Sequence, residues 1–380
     1  MKKSVKVGLM TYHCAYNYGS FLQAYALQKY ITNVFNVECE IIDYRKDAQK
    51  EFYSIKKNNT SLRNIIKNFI VLPHQKELKK RNEMFERIIA DELVLSRKYT
   101  SSYELMRENC KYDLYICGSD QIWNDSILDF DDMYLLSFVD KKIKKISYAV
   151  SMGGNPEETF KSSDIFGKYL PYFSAISVRE NEAKRVLKRF YSGDIEITVD
   201  PTLLNEYNMY DTLIKKEYLN SNLPKNKFIF FYSICYDENM IDRVIEFSKE
   251  YGMPIYMVFT GSLRIFKCKK KGIKVIYDAT VADFLFLIKN ATLVFSSSFH
   301  GTVFSILYKK DFYVINELKN GIYLQDARMK SLLDCLEISD RMIDNKIIIN
   351  SINYQKVFLN LQKMVTTSKE YLEKNIKDLI

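Results

Sequence analysis

The chain has 380 residues, of which 47% are apolar, and its 56 Lys and Arg against 47 Asp and Glu give a formal net charge of +9. That is enough chain and enough apolar material for two ordinary domains, each with its own core. No stretch of about eighteen residues is both apolar and free of charge, so no membrane-spanning helix is expected.

Taken in order, the residues predict a strand over 5–11, a loop over 12–19 and a helix from 20 to about 32 that puts Leu22, Ala26, Leu27 and Tyr30 on one face. A second strand follows at 38–43, and together these make the first βαβ of a doubly wound sheet. Residues 45–98 interrupt it with polar, mainly helical sequence holding 14 Lys and Arg but 7 Asp and Glu, so most of the net charge sits there. The sheet resumes at 114–117 and 145–150, followed by a helix at about 156–170, a strand at 175–178 and a helix at 180–188. A second alternating unit has strands at 228–234, 255–259, 274–277, 292–296 and 312–316, with helices at 237–251, 281–290, 301–309 and 327–336. The expected architecture is α/β, with two Rossmann-like domains facing a central cleft. They are 1–205, carrying a basic helical insertion at about 45–100, and 227–353. A linker covers 206–226, and a helical segment at 354–380 is expected to pack back on the first domain.

The amino terminus has a basic start, but Lys6 interrupts its apolar stretch, which runs straight into Tyr12-His13. It reads as the first strand of a cytoplasmic protein and not as a signal peptide. The seven cysteines form no Cys-x-x-Cys pair, so neither a disulfide framework nor a zinc knuckle is signalled. His13, His74 and His300 have no metal-ligand spacing. No metal or cofactor is expected. The basic balance raises nucleic acid, anionic lipid and acidic substrates as partners. No nucleic-acid-binding signature accompanies it, which leaves no nucleic-acid partner expected. In 45–98 the charge is interleaved with apolar residues, among them Phe52, Ile66, Phe69 and Phe85. This suggests weak contact with an anionic membrane surface, screened by salt. A solvated helical face covering the first domain is the plainer alternative.

Four strand-end loops carry the polar residues from which a site can be built. The first, Tyr12-His13-Cys14-Ala15-Tyr16-Asn17-Tyr18-Gly19-Ser20, is too poor in glycine for a dinucleotide fingerprint, although Gly19 and Ser20 at a helix start can cradle an anion. The second, Gly118-Ser119-Asp120-Gln121-Ile122-Trp123-Asn124-Asp125, combines a carboxylate, amides and the single Trp. That set suits a sugar and equally suits an Asx-turn with Trp123 in the core. The third, Ser177-Val178-Arg179-Glu180, offers a guanidinium fork to a carboxylate or phosphate, or else an ion pair with Glu180 or Asp200. The fourth, Ser296-Ser297-Ser298-Phe299-His300-Gly301-Thr302, joins a strand to a helix amino terminus. An imidazole there can do acid–base work on an anionic substrate, and it also fits a helix cap or a core position. Arg328 and Lys330 begin a further helix and add positive charge, unless they are merely solvated.

These loops, in this order, resemble the polysaccharide pyruvyl transferase family. The matching residues are Asn17-Tyr18-Gly19 with Leu22-Gln23-Ala24-Tyr25-Ala26-Leu27-Gln28, then Gly118-Ser119-Asp120-Gln121-Ile122-Trp123-Asn124, Ile176-Ser177-Val178-Arg179-Glu180, Val199-Asp200-Pro201-Thr202-Leu203-Leu204 and Ser298-Phe299-His300-Gly301-Thr302-Val303-Phe304-Ser305. The resemblance implies a GT-B-like fold and a transferase that moves pyruvate from phosphoenolpyruvate, a co-substrate and not a cofactor, to two sugar hydroxyls. The product is a cyclic ketal on a capsule or other cell-envelope exopolysaccharide, or on its lipid-linked precursor. By motif position Arg179 and His300 match the family's phosphoenolpyruvate-binding Arg and catalytic His, and Arg328 falls where other members carry a Lys near the donor. Ser298, Gly301 and Thr302 beside His300 complete the expected donor site, and Asp120 is the expected catalytic base or acceptor-sugar anchor. Asn17, Tyr18, Gly19, His13, Gln121, Trp123 and Asn124 form the acceptor site. Many members carry Arg where this chain has Ser298, so Arg328 or Lys330 is expected to stand in for it. The lipid-linked acceptor implies work at the inner face of the cell membrane. A nucleotide-sugar glycosyltransferase of the same fold, or a non-catalytic glycan-binding scaffold protein, are the alternatives.

Overall fold

The computed structural model describes residues 5–46, 49, 51, 53–58, 61–107, 112–220, 222–234, 236–262, 264–319, 322–343 and 350–380. They divide into two compact units: Met1–Tyr53 with Ile89–Asn205 and Leu359–Ile380, and Ser54–Ile88 with Glu206–Phe358.

The first unit is built on a parallel sheet of β1 (Lys6–Met10), β2 (Glu38–Tyr44), β3 (Leu95–Tyr99), β4 (Leu114–Cys117) and β5 (Lys145–Ser147), in the order β3-β2-β1-β4-β5. The chain winds outward from β1 to one edge, then returns to β1 and builds the other half, so the order reverses between β1 and β4. The short parallel pair β6 (Ile176–Val178) and β7 (Ile195–Ile197) continues from β5 through bridges at Ile146–Ala175 and Val150–Val178. The core includes Trp123, Tyr134, Phe166, Leu170 and Phe173. The helix Tyr354–Ile376 supplies its later part to this unit, where the Tyr371 hydroxyl donates to the Ser147 carbonyl at 2.7 Å.

The second unit repeats the plan with six parallel strands: β8 (Ile229–Tyr232), β9 (Ile255–Val258), β10 (Lys274–Ile276), β11 (Leu293–Ser296), β12 (Phe312–Ile315) and, after the small hairpin β13 (Glu317–Lys319) and β14 (Ile322–Leu324), β15 (Met342–Ile343). Their order is β10-β9-β8-β11-β12-β15, which reverses between β8 and β11. Both sheets are therefore Rossmann-like, and the protein is α/β. The central strands are apolar at nearly every position and fully buried, as strands covered on both faces must be.

The basic insertion departs from the expectation. Its helices Leu62–Val71 and Gln75–Glu92 lie largely in Ser54–Ile88, which clusters with the second unit and not with the first. Val71 and Leu78 enter the second core beside Ile229, Phe231 and Phe259, and the His74 ring stacks on Tyr277 at 3.5 Å. Phe85 is buried as well, so it is no surface residue. Phe52 lies outside the described residues. Among the described residues no helix is long and apolar enough to cross a membrane.

Candidate functional site

Ligands of open α/β sheets bind beyond the carboxyl ends of the strands where the order reverses. In the first unit that point lies between the loops after β1 and β4, and Gln23 fastens the two together. Its amide nitrogen donates to Thr11 Oγ1 and the Tyr12 carbonyl at 2.9 Å, while its Oε1 accepts from the Ser119 backbone at 3.2 Å. Asp120 follows in a left-handed conformation, φ 66°, which costs a non-glycine residue energy and marks the loop as held for a purpose. Its carboxylate accepts from Ser20 Oγ at 2.6 Å and from the Gln121 backbone at 2.8 Å.

Near Asp120 lies a residue that the sequence did not single out. Tyr12 is 6% exposed, and its hydroxyl has no hydrogen-bond partner among the described residues. Burial pushes its pKa well up, and the charges of Asp129, Asp120 and Asp131 add to the effect. The Asp129 carboxyl is itself raised by burial, against the pull of Lys46 and Gln49. A raised carboxyl, a buried hydroxyl and a strained Asp gather here hydrogen-bonding groups that suit a polyol. The available signal was position alone: Tyr12 falls two residues after β1.

Several expected acceptor residues are instead occupied by the fold. Asn17 caps the helix Tyr18–Phe35, accepting from the Gly19 and Ser20 backbones at 2.9 and 3.3 Å, so two of the first-turn N–H groups are already satisfied. Tyr18 and Gly19 are buried in its first turn. His13 binds Asp43 at 2.8 Å deep in the unit. Burial alone would raise the Asp43 pKa, but His13 and Arg45 together hold it below the usual carboxylate range. Gln121 and Asn124 are hydrogen-bonded to each other at 2.8 Å, and Asn124 Oδ1 accepts from Ser126, as in an Asx-turn. Trp123 is fully buried, edge-on to Phe166 and Phe173, with its Nε1 donating to the Tyr134 carbonyl at 3.0 Å. It is a core residue with no face left for a sugar.

For Arg179 the structure shows the ion pair that the sequence offered as the alternative to an anion clamp. Its side chain is 2% exposed and paired at 2.6 Å with Asp200, whose side chain is 0% exposed. Its Nε donates to Ser119 Oγ at 2.9 Å and to the Ala149 carbonyl at 3.1 Å. This guanidinium holds the Ser119–Asp120 turn against the next strand, which makes it a positioning residue. Glu180 does similar work, accepting from Ser151 Oγ and the Met152 backbone at 3.0 and 2.8 Å.

In the second unit the reversal point lies between the loops after β8 and β11, where the Ser233 and Ser297 hydroxyls are hydrogen-bonded. The helix Phe299–Leu307 starts here, and the side chain of its N-cap, Ser298, makes no capping bond. First-turn N–H groups have no acceptor within their own helix, so this end favours an anion. His300, in the first turn, is 7% exposed, with its ring edge-on to Phe299 at 5.4 Å. Gly301 brings the helix against the strand ends: a Cβ there would collide with Ser296 Oγ and come within 2.9 Å of the Tyr232 ring. Thr302 is buried, donating to the Ser298 carbonyl at 3.1 Å, so it serves the helix and not a ligand.

Neither expected stand-in cation is available. Arg328 lies over the Phe299 ring at 5.8 Å but holds Asp326 through both Nε and Nη2. Although burial acts to raise the Asp326 pKa, Arg328 outweighs it and keeps the carboxyl ionised. Lys330 pairs with Asp334 at 3.1 Å. Among the described residues no group of three or more His, Cys, Asp or Glu is placed to hold a metal ion.

Comparison with known proteins gives one family. The sequence model described as polysaccharide pyruvyl transferase matches residues 17–318, most of the chain, and the chain belongs to that family. It is thus a transferase, with the polysaccharide pyruvyl transfer that defines the family as its general activity. No curated protein matches significantly. Among solved structures, UDP-GlcNAc 2-epimerase from Neisseria meningitidis bound to UDP-GlcNAc is 11% identical, with 98% of this chain and 93% of that one covered and a TM-score of 0.48. The Methanocaldococcus jannaschii epimerase in complex with UDP-GlcNAc and UDP is 12% identical, covering 96% and 93% at 0.48. A heptosyltransferase of E. coli is 10% identical, covering 98% and 100% at 0.38. Similarity at this level says nothing about substrate.

Proposed function

We propose that this family member transfers pyruvate from phosphoenolpyruvate to two hydroxyls of a sugar in a surface polysaccharide or its lipid-linked precursor, closing a cyclic ketal. The observation that carries this reading is the placement of His300. It is an imidazole in the first turn of a helix without a side-chain cap, at the reversal point of a parallel sheet, where an anionic donor is favoured.

Phosphoenolpyruvate is an enol ester, and protonation of its methylene carbon makes C2 an electrophile. One sugar hydroxyl adds to C2, the C2–O bond to phosphate breaks, and the second hydroxyl closes the ring. Of the two hydroxyl protons, one balances the proton gained by the methyl carbon and the other leaves with phosphate. His300 is the acid on the donor side. In the first unit Asp120, oriented by Ser20, is the candidate base for an acceptor hydroxyl, with the buried Tyr12 hydroxyl near it. The donor is tested by thermal unfolding. Phosphoenolpyruvate is expected to raise the melting temperature and nucleotide sugars to leave it unchanged. Stabilisation by a nucleotide sugar alone would favour a glycosyltransferase.

A lipid-linked acceptor calls for contact with a membrane surface, and the insertion presents one face suited to it. Leu62, Ile66, Phe69 and Leu72 recur at helical spacing and are 73%, 45%, 71% and 57% exposed, with Arg63 beside them. The contact belongs to this apolar stripe, because Lys80 is paired with Asp278. Sedimentation with anionic vesicles at low salt is expected to carry the protein down, and Phe69→Asp to abolish it. Equal sedimentation of the variant would contradict the assignment.

A further inference from the structure

The seating of the insertion on the second unit directs two cations at the carboxyl edge of its sheet. Arg81 Nη1 donates to the carbonyl of Phe259, the first residue after β9, at 2.9 Å, while its Nε is buried without an acceptor. Two residues further along the same loop, Lys67 Nζ lies 3.8 Å from where a Cβ on Gly261 would stand. No carboxylate pairs with either side chain among the described residues. The Lys67 pKa is lowered by burial first, and then by Lys57, Arg63 and Arg81, every one of them a cation. Like charges gathered in a half-buried place repel one another, and an anion relieves that cost.

The cluster adjoins the helix start at His300. Tyr232, the last residue of β8, feels the charge of Arg81, and its hydroxyl is bonded to Ser298. The Tyr232 ring also forms the wall against Gly301. From the loop that Lys67 approaches, Thr260 Oγ1 donates at 3.1 Å to the carbonyl of Ser233, whose hydroxyl meets that of Ser297. These contacts link the loop reached by the two cations of the insertion to the start of the helix Phe299–Leu307. Arg328 and Lys330, by contrast, have already given their charge to carboxylates.

We propose that Lys67 and Arg81, together with the start of the helix Phe299–Leu307, form a binding site for the phosphate group of a phosphorylated donor. The basic insertion is then part of the donor site. The identity of that donor as phosphoenolpyruvate rests on the function proposed above; the anion site does not.

The test is calorimetric titration of the full chain with phosphoenolpyruvate and, separately, with inorganic phosphate. Lys67→Gln/Arg81→Gln is expected to weaken phosphoenolpyruvate binding by about tenfold or more. Lys79→Gln, which removes an exposed charge paired with Glu83, is expected to leave it unchanged. Thermal unfolding without ligand, run also on Lys67→Gln alone, which keeps the Arg81–Phe259 hydrogen bond, guards against a merely structural effect: the single variant is expected to be as stable as the parent and still to bind phosphoenolpyruvate more weakly. Equal affinity of parent and double variant, a loss matched by Lys79→Gln, or binding of neither anion by the parent would overturn the site. If the parent binds phosphate through Lys67 and Arg81 but ignores phosphoenolpyruvate, the site stands and the donor assignment falls. If phosphoenolpyruvate binds parent and double variant alike, the reverse holds.

Discussion

Replacing His300 with Asn is expected to lower turnover by about 10²–10⁴-fold while leaving donor affinity nearly unchanged. Asn keeps a hydrogen-bonding group of similar reach but has no proton to exchange near neutral pH. The surroundings do not depend on the ring for their shape, since the start of the helix is fixed by Ser296, Ser298, Gly301 and Tyr232. Chemistry should therefore fall and binding should not. Separate measurement of turnover and of donor affinity checks both halves. Full turnover in the variant would remove His300 from the mechanism, and a loss confined to affinity would make it a ligand-binding residue.

Arg179→Leu is expected to destabilise the first unit by about 3–5 kcal/mol, because it leaves the Asp200 carboxylate buried without its cation. Arg179→Leu/Asp200→Leu should recover much of that loss, since the double variant strands no charge. Denaturant unfolding of both variants measures the difference. Activity should suffer in both, because Ser119 loses the group that fixes the turn before Asp120. A single variant of parental stability that failed only to bind donor would restore Arg179 as a direct clamp.

The sequence made the central strands plain, and for a physical reason. Leu114–Cys117, Ile229–Tyr232 and Leu293–Ser296 are covered on both faces, so they are apolar at nearly every position. The strand Leu95–Tyr99 escaped notice because it lies at a sheet edge and carries Ser96, Arg97 and Lys98 in its middle. The hairpin Glu317–Leu324 and the two-residue Met342–Ile343 are too short to show a period.

The site was legible in its location more than in its members. A strand-to-helix seam identifies the helix start at His300, and an apolar run before Gly118 identifies the loop of Asp120. Polar identity does not reveal where a side chain points, however. His13, Arg179 and Trp123 have the residue types of a site, yet each is engaged within the fold, by Asp43, Asp200 and the Tyr134 carbonyl. The sequence offered the Asp200 pair and a core position for Trp123 as alternatives, but no sign of Asp43. The insertion was the hardest to assign. It interrupts the first unit in sequence, yet Val71 and Leu78 belong to an apolar core built mainly of residues 229–343.

The most direct measurement is mass spectrometry of a glycan acceptor, preferably lipid-linked, incubated with the purified protein and phosphoenolpyruvate. The proposed function predicts an acceptor mass increased by one pyruvate less one water, together with release of inorganic phosphate, and neither change with His300→Asn. Transfer of a glycosyl residue from a nucleotide sugar, with phosphoenolpyruvate left intact, would contradict it.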